Sequence, residues 1–146
     1  MRRREFIALL GGAAALPLLA RAQQPERERR IGVLQGGSAD DQELQVAFAA
    51  FLQGLHQLGW IDGRNVRIDR RLGAGDADVI RKHATELVAL APDVIVTAGT
   101  AAVVQALQAT RTLPIVFIFV PDPVGSGFVK SLSRPGGNAT GFMQFE

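Results

Sequence analysis

With 146 residues, the chain is long enough for one domain and one sizeable core. Hydrophobic residues at 47% and charged residues at 21% give the balance of a folded globular protein, which excludes disordered and membrane-embedded classes. A pI near 9.9 suggests a nucleic-acid partner, but the charge distribution argues against one. Of the sixteen basic residues, Arg2, Arg3, Arg4 and Arg21 lie within the first 22 positions, against Glu5 alone. The remainder carries twelve basic and thirteen acidic residues, a net charge of −1, and has no basic stripe to neutralise phosphates.

The amino terminus reads as a signal peptide over 1–22. Arg2-Arg3-Arg4 form a charged start, and Phe6 to Leu19 form an apolar stretch too short to span a bilayer. Ala20-Arg21-Ala22 supplies the small-x-small pattern for cleavage before Gln23. Arg3-Arg4-Glu5-Phe6-Ile7 is similar to the twin-arginine export motif, although Arg2 and Ala8 depart from its usual residues. The expected location is the periplasm. The chain has no cysteine, so no disulfide braces the fold, and Gln23 stands where a lipid anchor needs a thiol.

Residues 23–30 form a polar, charge-dense linker, and from Ile31 strands and helices alternate. Ile31 to Gln35 is a short apolar run that ends at Gly36-Gly37, which predicts a buried strand and a tight turn. Asp40 to Glu43 reads as a capping box with Asp40 as N-cap. Leu44, Phe48, Phe51, Leu55 and Leu58 then mark one face of an amphipathic helix that stops at Gly59, with Trp60 as a buried anchor. Asn65 to Leu72 alternates like an edge strand. Asp76 caps a second helix with Val79, Ala84, Leu87, Val88 and Ala91 inward. Val94 to Val96 is a third strand, and Gly99-Thr100 opens a helix that runs to Thr110. Ile115 to Val120 is a fourth buried strand, Val124 to Leu132 reads as a short helix, and Thr140 to Phe145 begins something strand-like.

Continuous apolar strands between amphipathic helices predict an α/β fold, a doubly wound parallel sheet with helices on both faces. Right-handed crossovers favour the strand order 2-1-3-4. In such sheets ligands sit outside the carboxyl ends of the strands. The candidate ligand-binding residues are therefore Gly37, Ser38 and Ala39 after the first strand, Gly99 and Thr100 after the third, and Asp122 after the fourth. Glycines at helix N-termini admit an anion close to unpaired N–H groups, and Asp122 suits an ammonium, so an amino-acid-like zwitterion fits. Helix capping by Ser38 and Thr100, and turn-shaping by Asp122 between two prolines, account for the same residues.

Catalysis has little support. His56 and His83 lie inside helices apart from other ligand types, and there is no Gly-x-Ser-x-Gly elbow, P-loop or Gly-x-Gly-x-x-Gly fingerprint. The expectation is a non-enzyme with neither cofactor nor metal.

Several stretches resemble a known family. They are Ile31-Gly32-Val33-Leu34, Leu58-Gly59-Trp60, Gly63-Arg64-Asn65-Val66, Leu90-Ala91-Pro92-Asp93-Val94-Ile95, Pro114-Ile115-Val116-Phe117, and Asp122-Pro123-Val124-Gly125 onward to Arg134-Pro135-Gly136-Gly137-Asn138. Together they are similar to the ABC transporter substrate-binding proteins of the type I periplasmic-binding fold, in the tryptophan or tyrosine transporter subgroup. The resemblance covers 31–146 and implies the amino-terminal lobe of a two-lobed clamp, truncated at the crossing into the second lobe. It implies a small polar solute as ligand, an amino acid among the candidates, and an ABC permease in the inner membrane as partner. A ligand-sensing module of a receptor or regulator, and a flavodoxin-like single-domain enzyme, are the alternative functions.

Overall fold

The computed structural model describes residues 27–144, so the signal peptide read over 1–22 lies outside the described residues. Five strands form one wholly parallel sheet in the order β2-β1-β3-β4-β5. They are β1 (Arg29–Gln35), β2 (Val66–Leu72), β3 (Val94–Ala98), β4 (Ile115–Val120) and β5 (Ala139–Met143). Three helices connect them: α1 (Gln42–Gln57), α2 (Ala77–Ala89) and α3 (Thr100–Ala109). The expected order of the first four strands holds, and β5 extends the sheet beyond β4. β1 starts at Arg29, so the linker expected over 23–30 gives its last two residues to the sheet. Arg29 and Arg30 pair there with Val66 and Arg67.

Right-handed crossovers decide which face each helix covers. Only the step from β1 to β2 runs towards one edge, and α1 alone crosses on that face. The steps from β2 to β3 and from β3 to β4 run the other way, so α2 and α3 share the opposite face. That second face holds the core. Leu34, Ile95, Ile115, Phe117 and Val120 of the strands pack there against Ile80, Ala84, Leu87, Ala102, Val103 and Ala106. The α1 face is only half covered. Ile31, Val33, Val94, Val96, Val116 and Ile118 line an apolar groove of ≈ 360 Å³ with Phe48, Phe51 and Leu55, and Phe142 at its rim is 71% exposed.

Several local expectations change. The N-cap of α1 is Asp41, not Asp40: the Asp41 carboxylate accepts from Leu44 N–H at 3.2 Å. The Asp40 carboxylate accepts from the Ser38 hydroxyl instead, which holds its pKa below the ordinary aspartate range. Asp76 caps α2 as expected, accepting from Asp78 and Val79. The inward face of α2 then falls on Ile80, Ala84 and Leu87 rather than Val79, and Ala91 lies beyond the helix at φ +49. Trp60 is 39% exposed rather than a buried anchor. Asn65 fixes the turn around it, donating to Gly59 O and accepting from Ile61 N–H, both at 2.8 Å, and so leaves the ring near the start of β1. Leu58 is the C-cap of α1 and faces outward at 77% exposure.

The short helix expected over Val124–Leu132 is a run of turns. Gly125 and Gly127 weaken any helix there, and the Asp122 carboxylate takes Gly125 N–H at 2.7 Å to close a turn. Pro123 is buried beneath it, and its carbonyl accepts from Phe128 and Val129. Val129 enters the core from this segment.

At the opposite ends of the strands, Asp93 joins the entries of β1 and β3. Its carboxylate accepts Arg30 N–H at 2.8 Å, and Arg27 and Arg29 each approach it at 3.5 Å. The bond from Arg30 N–H holds the Asp93 carboxyl below the usual aspartate range, with Arg27 and Arg29 adding to the effect. A folded-state pKa below the unfolded value adds stability above the unfolded pKa, and that stability is lost as pH falls through the folded value. Asp93→Asn is therefore expected to unfold more readily than wild type at pH 7, by roughly 1 kcal/mol. The gap should close as pH falls below about 4. Urea titrations of both proteins at pH 7 and pH 3 check this, and a gap independent of pH would contradict it.

Candidate functional site

Because all five strands run the same way, their carboxyl ends meet on one rim. Backbone bonds tie that rim together. Gly36 N–H donates to Ala98 O at 3.1 Å, Gly99 N–H to Ile118 O at 3.0 Å, and Gln144 N–H to Val120 O at 3.1 Å. The loop after β2 zips onto the loop after β1 through Gly73 N–H to Gln35 O, Ala74 N–H to Gly37 O and Gly75 N–H to Gly36 O, at 2.8–2.9 Å. Between these loops lies a cleft of ≈ 340 Å³. That volume is at the lower end for small-molecule sites, about 300–1,000 Å³.

One wall is Gly36, Gly37, Asp41, Glu43 and Leu44, another is Gly75 and Ile80, and the third is Ala98, Gly99, Thr100 and Ala101, with Phe119 and Gln144 completing the lining. Gly37 has no room for a side chain, since a Cβ would lie 2.5 Å from Leu44 Cδ1 and 2.9 Å from the Asp41 carboxylate. Gly99 caps α3 at φ +91 and makes no side-chain cap bond. The N–H groups of the first turn of α3 therefore keep their donor capacity and partial positive charge at the cleft wall. The α1 wall is braced from behind by Gln35. Its Oε1 accepts from Arg70 Nε at 2.5 Å and its Nε2 donates to Leu44 O at 3.4 Å. The Arg70 guanidinium also lies 4.1 Å from the Phe48 ring centroid, and burial lowers its pKa.

Of the six residues singled out in the sequence, Gly37, Gly99 and Thr100 line this cleft. Ser38, Ala39 and Asp122 are not among its lining residues. Ser38 donates to Asp40, the Ala39 carbonyl accepts from the Gln45 side chain, and Asp122 is engaged in its own turn. The acidic residues among the lining are Asp41 and Glu43. The sequence reading takes both only as members of a capping box at the start of α1. Phe119 also escaped that reading, because in the apolar run of β4 it is indistinguishable from its core neighbours.

The lining has the chemistry of a receptacle: it combines the N–H donors of the α3 start, acidic residues and apolar residues. Among the described residues no three His, Cys, Asp or Glu side chains converge as a metal site. His83 lies away from the cleft on α2, within 3.2 Å of Glu86.

The chain belongs to the ABC transporter substrate binding protein family, which residues 31–146 match. It is 33% identical over 120 residues to a curated tyrosine-binding protein of Clostridioides difficile (strain R20291), covering 82% of this chain and 34% of that one. Among solved structures it is similar to the ligand-free, open form of a substrate binding protein with adhesive properties from Clostridium difficile. That match has a TM-score of 0.76 and 30% identity, over 81% of this chain and 39% of the other. It is also similar to an ABC domain from Streptococcus pneumonia in complex with L-Trp, with a TM-score of 0.74 and 34% identity, over 80% and 38% of the two chains. The chain thus spans little more than a third of the length of these relatives.

The reassigned cap gives a direct check. Asp41→Ala is expected to lower the unfolding free energy by about 1 kcal/mol, whereas Asp40→Ala should change it by only a few tenths. Denaturant titration of the two variants reads the difference, and equal losses would contradict the assignment of Asp41.

Proposed function

We propose that this chain is the amino-terminal, solute-binding lobe of an ABC import system, and that it holds an amino acid without transforming it. The observation that carries this reading is the cleft at the carboxyl rim of the sheet. There the uncapped start of α3 at Gly99-Thr100-Ala101 shares the lining with Glu43, Leu44 and Phe119. In this reading the solute carboxylate accepts from the first N–H groups of α3 and its ammonium faces Glu43. Gly37 lets the solute backbone approach, and its side chain rests over Leu44 and Ile80. The tyrosine-binding relative and the L-Trp complex support an amino-acid ligand.

The leader supports export. Arg2-Arg3-Arg4, the apolar Phe6–Leu19 stretch and Ala20-Arg21-Ala22 favour release into the periplasm by the twin-arginine route, without a lipid anchor. The partner that receives the solute is an ABC permease of the inner membrane. One lobe presents only one side of the clamp, so this chain alone binds weakly, and NMR is the suitable readout.

Titration of the ¹⁵N-labelled chain with L-tryptophan or L-tyrosine is expected to move the amide signals of Gly37, Gly99 and Ala101 saturably. Proline suits the first position of a helix and removes one N–H donor, so Thr100→Pro should keep the fold. It should weaken binding about tenfold, the worth of one hydrogen bond to a charged group. Saturable shifts elsewhere only, or unchanged affinity in Thr100→Pro, would contradict the proposed site.

A further inference from the structure

We propose that Phe119 is a specificity-determining residue, whose ring meets the side chain of the solute and selects flat, aromatic ones. This inference rests on the cleft being the amino-acid site of the preceding section.

Phe119 occupies a backbone conformation that bulky residues avoid. Its φ is +57, a genuine outlier for a residue with a large side chain. The pairing of β4 with β5 shifts register between Phe117 and Val120, so Phe119 sits in a bulge. Regular alternation along β4 would put Phe117 and Phe119 on one face. The bulge instead puts Phe117 and Val120 into the core, both fully buried, and turns Phe119 out of the alternation to line the cleft. Phe119 belongs neither to the core cluster nor to the half-buried residues packed against it.

Both flanking strands accommodate the bulge. Gly99, itself at φ +91, ends β3 and donates to Ile118 O at 3.0 Å. On the other side Gly141 lets β5 approach, because a Cβ there would overlap the Phe117 carbonyl oxygen. The strained conformation is therefore held from two sides, as strain at functional sites generally is. Glycine would take the same φ freely. The residue that stands there instead is the only aromatic among the cleft-lining residues, which otherwise offer Leu44 and small apolar side chains such as Ala101. Aromatic rings add stacking to simple burial, which favours an indole or phenol over an aliphatic side chain.

The test compares Phe119→Gly with wild type using two probes. L-tryptophan carries the aromatic body, and L-alanine carries the same charged head without it. Relief of the left-handed strain is expected to raise the melting temperature of Phe119→Gly by about 3 °C. Affinity for L-tryptophan, read by NMR titration, should fall about tenfold, while that for L-alanine changes less than about twofold. A tryptophan-to-alanine ratio unchanged in Phe119→Gly would overturn the specificity role while leaving the amino-acid site intact. A lower melting temperature with both affinities reduced equally would make the ring a packing element and overturn it as well. Failure of wild type to bind either probe would instead sink the amino-acid reading, and this inference with it.

Discussion

β1 pairs in parallel with β2 on one side and β3 on the other, and the remaining strands add in the same direction. This common direction is the constraint on which the cleft depends. It gathers every strand's carboxyl end on one rim, and the N-termini of α1, α2 and α3 follow on that rim. Order reverses at β1, where successive connections leave to opposite sides, and the loops after β1 and β3 diverge enough to leave a cleft between them. The backbone bonds across the rim, from Gly36 to Ala98 and from Gly99 to Ile118, keep its walls in register.

The two ends of the sheet are built differently. At the entry end, Arg30, Asp69 and Asp93 share charge-assisted contacts that join β1, β2 and the loop before β3. At the exit end, donors are left over: α3 starts at a glycine that offers no cap, and among the described residues the Glu43 side chain makes no hydrogen bond or ion pair. Paired groups secure the fold at one end, and the α3 start lines the cleft at the other. The half-covered face under α1 follows from the same topology. The three steps from β2 to β5 all run the same way, so only α1 lies on that side, and Val96, Val116 and Ile118 remain partly open.

Much of this architecture was readable in the residues. The apolar runs of β1, β3 and β4, the glycine stop after α1 and the Asp76 cap each have a local cause, and each appears where its residues predict. The first four strands also follow the expected order, because crossover handedness leaves few alternatives. The misreadings share a different cause. Asp40 and Asp41 are adjacent carboxylates with equal claim to the cap, and only the geometry of the Gly36–Ala39 turn chooses Asp41. Val79 and Ile80 compete in the same way for the inward face of α2.

The residues alone establish the class of fold, the rim that carries the cleft and three of its lining residues, Gly37, Gly99 and Thr100. These follow from periodicity, glycine placement and strand direction, which are local properties of the chain. Tertiary structure decided which side chains converge on that rim. It withdrew Asp122 into a turn, brought Asp41 and Glu43 to the cleft, and turned Phe119 out of the core through a bulge. The last of these depends on register between strands distant in sequence, Phe117 against Gly141 and Ile118 against Ala98. A one-residue shift in such pairing reverses where a side chain points, and nothing local to β4 encodes it.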